Sequence, residues 1–175
     1  LPAILAAQHV DIKKLPGYID IDFIEIPDDA VDVTEVDLGP QLLQMFGQGD
    51  EFGDKVSGLF SIRIKSFTVD MEGVKQLRPK LAKIAEKLNK GKWMNLIRSR
   101  SKESLTYIGM LRDNSKGNGM VLLSIDDSGD VTVANIIGSI DPAKLATMGL
   151  GMSDSTLKAL NKDIMKKEKS EKKEK

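Results

Sequence analysis

Residues 93–138, WMNLIRSRSKESLTYIGMLRDNSKGNGMVLLSIDDSGDVTVANIIG, decide the fold of this chain. Four runs, Trp93 to Arg100, Ser104 to Arg112, Gly119 to Asp126 and Val131 to Gly138, carry most of the branched and aromatic residues. Between them lie Ser101 to Glu103, Asp113 to Asn118 and Asp127 to Asp130, which are rich in turn formers. Connections this short leave no room for a crossover, so neighbouring runs must be antiparallel, and the stretch reads as a four-stranded meander.

Upstream, Phe60 to Val69 (FSIRIKSFTV) alternates, with Phe60, Ile62 and Ile64 on one side and Arg63 and Lys65 on the other. Asp70 stands where a cap belongs, ahead of Val74, Leu77, Leu81, Ile84 and Leu88. Steps of three and four make those residues one apolar helical stripe. Pro79 is expected to remove one hydrogen bond and add a kink, and Gly91 to stop the helix. Farther back, Tyr18 to Ile26 alternates and then changes phase, which predicts a half-buried strand with a bulge. Across the turn Pro27-Asp28-Asp29 it is expected to form a hairpin with Val31 to Leu38. Gly39-Pro40 opens a short helix through Leu42, Leu43 and Phe46, ended by the Gly-rich stretch Gly47 to Gly53. Asp141-Pro142 opens another through Leu145 and Met148.

The fold class expected is α+β: a mostly antiparallel sheet of roughly five to seven strands ending in the meander. One long amphipathic helix packs on one face, with short terminal helices. Residues 17–150 form the single domain, after an N-terminal arm over residues 1–16. Residues 151–175 form a Lys/Glu-rich tail, helical or disordered, with no apolar residue past Met165. The uncharged start Leu-Pro-Ala-Ile-Leu-Ala-Ala-Gln reads as the remnant of a signal peptide, or alternatively as a frayed first turn of helix.

Composition removes whole classes of chemistry. The chain has no cysteine, and His9 is its one histidine. Thiolate catalysis, Cys-rich zinc sites, Ser-His-Asp triads and two-His metal sites are therefore excluded. No apolar run is long enough for a membrane span. Net charge is zero but segregated. Tyr18 to Asp54 holds eleven acids and no Lys or Arg, whereas Lys55 to Arg112 holds fourteen basic residues and four acids. The two segments are expected to complement each other within one fold, which leaves no basic surplus for nucleic acid.

The candidate site is a basic set on strands: Arg63, Lys65, Arg98 and Arg100. Each pair is spaced by two and so projects from one face of its strand. If the two strands are neighbours, four cations share a surface for a phosphate, carboxylate or lipid headgroup. The plainer expectation is that they pair with Asp20, Asp22 and Asp32. Asp20, Asp22 and Glu25 are weak candidates for acid–base work, with no identifiable partner base. Asp126-Asp-Ser-Gly-Asp130 lacks the distant Glu of a calcium loop and reads as a hairpin turn. Met94, Met110, Met120 and Met148 would suit the adaptable lining of an apolar cavity, though Met more often fills gaps in a packed core.

Several strings are similar to a known bacterial family. They are Tyr18-Ile-Asp with Val31-Asp-Val and Leu38-Gly-Pro-Gln-Leu-Leu43, then Ile62-Arg-Ile-Lys-Ser-Phe67, then Trp93 with Ile97-Arg-Ser-Arg100. The most specific is Val133-Ala-Asn-Ile-Ile-Gly-Ser-Ile-Asp141 followed by Leu145. Over about residues 17–149 the chain resembles the family catalogued as domain of unknown function 4252. The resemblance implies an exported envelope protein, periplasmic or secreted, with no catalytic residues to carry over. Lipid anchoring would need a Cys after the signal, and there is none. The function expected is a non-catalytic binding or interaction domain, not an enzyme and without cofactors, whose partner is another envelope protein or an anionic ligand. The rivals are a carrier of a lipid-like apolar ligand and a carboxylate-only hydrolase.

Overall fold

The computed structural model describes residues 11–47, 51–113 and 117–140. In chain order its elements are β1 (Val31–Leu38), α1 (Pro40–Phe46), α2 (Glu51–Val56), β2 (Leu59–Thr68), α3 (Met71–Asn89), β3 (Met94–Arg100), β4 (Leu105–Asp113), β5 (Gly117–Ile125) and β6 (Asp130–Gly138). The six strands form one sheet in the order β1-β2-β6-β5-β4-β3, and every neighbouring pair is antiparallel. The meander from β3 to β6 is therefore intact. The chain leaves β2 inside the sheet, crosses one face as α3, and re-enters at the far edge as β3.

Asp70 caps α3 by accepting from the Gly73 amide at 2.8 Å. The helix buries Val74, Leu77, Leu81, Ala85 and Leu88 against Phe67, Leu105, Tyr107, Val121, Leu123, Val131 and Val133. Pro79 lies inside the helix on its exposed side, away from that contact. The opposite face carries Ile62, Ile64, Ile108, Met110, Met120, Leu122 and Ile136 beneath Leu43 of α1 and Val56 of α2. β5 and β6 are thus covered on both faces. Burial on both sides is why they read as near-continuous apolar runs rather than as alternation. In the turn that joins them, Gly129 sits at φ +91°, where an added Cβ would collide with the Val69 carbonyl oxygen. The β5–β6 turn thereby docks on the end of β2, with the Val69 amide donating to the Gly129 carbonyl at 3.0 Å.

Three expectations need correction. Tyr18 to Ile26 forms no strand and no hairpin with β1. The Asp22 amide donates to Asp20 Oδ1 at 3.0 Å and the Ile24 amide to the Ile21 carbonyl at 3.2 Å, which turns the chain. Ile21 and Ile24, three apart, are both buried, whereas Phe23 is 44% exposed. Local turn bonding by Asp thus wins over alternation. Second, although Gly47 ends α1 as expected, a helix that was not expected, α2, begins inside the Gly-rich stretch at Glu51. Third, the register shifts between Leu59 and Ser61, so Leu59 is buried and Phe60 is turned outward, off the side that Ile62 and Ile64 share. The helices expected after Asp141, with Met148, lie outside the described residues, as does the tail.

Candidate functional site

The segment over residues 16–26 lies on the same face of the sheet as α3. Its anchor is Asn135, a fully buried side chain on β6. Asn135 Oδ1 accepts from the Ile19 amide at 3.0 Å, and Nδ2 donates to the carbonyls of Gly17 at 2.9 Å and Met120 at 3.1 Å. Gly17 rests directly on Gly119: a Cβ on Gly17 would stand 2.6 Å from the Gly119 Cα. Backbone therefore meets backbone here, and Ile21 and Ile24 are delivered into the core beside α3.

This segment also brings acids to β2. Arg63 Nη2 donates to both carboxylate oxygens of Asp22, at 2.9 and 2.8 Å, and its Nε lies 3.4 Å from Asp37 of β1. Asp20 is 3.9 Å from Nη1. Lys65 Nζ reaches Asp22 at 3.1 Å and the Ile24 carbonyl at 3.3 Å. The Arg63 hydrogen bond, helped by that of Lys65, pulls the Asp22 carboxyl below its ordinary pKa. Burial works against the Arg63 charge, but the Asp22 hydrogen bond and the nearby acids outweigh it and raise its pKa. Asp32 is no part of this cluster. It occupies a β-bulge with φ 53°, and Asp37 takes the place opposite Arg63.

Arg98 and Arg100 sit on β3, the opposite edge of the sheet, with β6, β5 and β4 between them and β2. Four strand spacings amount to about 19 Å. The four cations therefore share a face of the sheet but not a surface. Arg98 stands opposite Tyr107 and Arg100 opposite Leu105; both arginines are exposed, and neither pairs with a carboxylate among the described residues. Tyr107 is fully buried, and its hydroxyl has no hydrogen-bond partner among the described residues. Burial raises its pKa, and the Arg98 charge opposes that shift.

Between the 16–23 segment and the C-terminal end of α3 opens a groove of about 1000 Å³. Ile19, Leu88 and Leu111 form its floor, Tyr18, Phe23, Ile84 and Trp93 its walls, and Lys87, Lys92 and Asp20 its rim. Trp93 is the chain's one tryptophan. The methionines considered for a cavity lining are elsewhere. Met110 and Met120 are packed in the second core, and Met94 is exposed on β3. Asp126 uses Oδ1 to accept from the amides of Ser128 and Asp130, both at 3.0 Å, as a turn residue does. Among the described residues, no group of three His, Cys, Asp or Glu could hold a metal ion, and no helix is long and apolar enough to cross a membrane.

Compared with known proteins, residues 28–148 match the family described as Domain of unknown function (DUF4252). The chain belongs to that family. Its matched stretch runs from the turn before β1 past the end of β6, and so takes in the whole sheet and α3. The groove's whole N-terminal wall, from Pro16 to Phe23, lies ahead of the match, whereas Ile84 to Trp93 and Leu111 lie within it. No curated protein and no solved structure matches the chain.

Proposed function

We propose that this chain is a non-catalytic binding domain of the bacterial envelope, periplasmic or secreted, and that the groove beside α3 is where it binds. The groove's size and lining carry this reading. Ligand sites run from roughly 300 to 1,000 Å³ and are mostly apolar with a few polar groups at fixed places. Here both cores are packed, so the groove is surface left open by the way the 16–26 segment meets α3. A carrier of a lipid-like ligand is the form of binding it favours. The apolar walls suit an acyl chain, and Lys87 and Lys92 on the rim suit an anionic end. The hydrolase reading loses support for a physical reason. Asp20 and Asp22 converge on Arg63, and Asp22 is held charged, the reverse of what a general acid needs.

Trp93 provides the test. Titration with sodium oleate below its micelle concentration is expected to shift Trp93 emission to the blue and to saturate. The Ile84→Glu variant, which puts a charge in the wall, is expected to lose the response while keeping the wild-type circular dichroism. No response to oleate or to oleyl alcohol would end the groove reading. Osmotic-shock fractionation of the native host tests export, which a purely cytoplasmic protein would contradict.

A further inference from the structure

The two edges of the sheet are of opposite charge, and they carry it on the same face. One row of directly opposed residues runs Glu35, Lys65, Val133, Leu123, Tyr107, Arg98 from edge to edge. A neighbouring row begins at Asp37 on β1, and another ends at Arg100 on β3. Among the described residues no strand pairs beyond either edge, and β1 is exposed along most of its length, as is β3. Glu35, Arg98 and Arg100 have no ion-pair partner among the described residues.

We infer that β1 and β3 are complementary docking edges for a second copy of this chain, joined head to tail by strand addition. This goes beyond the groove and does not depend on it. Topology sets the geometry. With six strands alternating in direction, β1 and β3 run opposite ways, so a copy moved along the sheet presents its β1 antiparallel to β3 with α3 kept on the same side. In one register Arg98 faces Asp37 and Arg100 faces Glu35, while on the other face Ile97 meets Leu38 and Ser99 meets Val36. Val36, Leu38 and Ile97 already belong to one face of the sheet, so apolar surface continues across the joint. The two symmetric alternatives, β1 on β1 and β3 on β3, would bring acids to acids and arginines to arginines, and charge selects against both.

Both edges also limit the contact. The bulge at Val31/Thr34 and the irregularity at Asn95/Ile97 leave about four residues of each strand to pair. The joint is therefore small and salt-sensitive. Because each strand turns by about 20–25° from its neighbour, successive copies wind into an open array instead of closing as a dimer.

Sedimentation of the full chain tests this. At low ionic strength the weight-average mass is expected to climb with concentration above the 19.2 kDa monomer, and to return to it in about 1 M salt. Glu35→Lys alone and Arg100→Glu alone are each expected to abolish the rise, since each sets like charges opposite one another. Mixing the two variants is expected to restore it, because the new lysine on β1 of one then meets the new glutamate on β3 of the other. Circular dichroism checks that each variant is folded. A chain that stays monomeric at low salt up to about 1 mM overturns the inference. So does association that ignores either exchange, or variants that fail to rescue one another on mixing.

Discussion

On β2, Arg63 and Lys65 stand two residues apart on the α3 face, and their side chains are only 11% and 14% exposed. On β3, Arg98 and Arg100 have the same spacing and the same face, yet both stand in solvent. The difference lies in strand position. β2 is interior, flanked by β1 and β6, so a long cation there is enclosed and must find carboxylates: Asp37 from β1, and Asp20 and Asp22 from the segment above. β3 is an edge, where water solvates the guanidinium groups and no partner is required. A pair of cations at period two therefore reveals which face it occupies, but not whether it is a joint within the fold or a free surface.

Arg63→Met strikes that contrast hardest. It leaves three carboxylates gathered about a missing charge, and is expected to lower stability by about 2 kcal/mol in urea unfolding. The loss is below that of a fully buried pair because the acids are more than half exposed. An unchanged midpoint would mean that the β2 pair is as independent as the β3 pair. Asp22 offers a smaller effect with a signature of its own. Its pKa in the folded state lies below its unfolded value of about 3.9. Its contribution is therefore fully present above that value, and drains away as pH falls through the lower, folded one. Asp22→Asn is expected to flatten this acid-side loss in a series of unfolding curves from about pH 5 down to about pH 2. An equal acid-side loss in the variant would assign it to other groups. Least of all should Arg98→Ala together with Arg100→Ala matter to the monomer: a change within about 0.5 kcal/mol at high salt. A larger destabilisation there would place those arginines inside the fold's own network.

Much of the architecture was readable because it rests on short-range signals. The turn formers at 101–103 and 127–130 forced the meander, and the stripe from Val74 to Leu88 forced α3, although Ala85 shares the buried position with a half-covered Ile84. The Tyr18 to Ile26 reading failed where two signals competed. Alternation argued for a strand, but Asp20 and Asp22 can bond neighbouring amides, and Ile21 and Ile24 are spaced for a turn. The pairing of Arg63 with Asp20 and Asp22 was foreseeable from charge alone, whereas exchanging Asp32 for Asp37 needed the bulge. The groove was not legible, since its walls come from positions 16–23, 84–93 and 111, which meet only after folding. A single Trp beside two lysines was its one trace in the sequence.

The placement of β2 also orders assembly in time. β3 to β6 can zip through turns of a few residues, but Thr68 meets Asp130 only across an interval of 62 positions. Closing such a span loses more chain entropy than closing a tight turn, and it is slower. The C-terminal half thus supplies the template on which the earlier-synthesised β2 must land. Until β6 emerges, β2 has only β1 to pair with, and the edge that β6 will cover stays open.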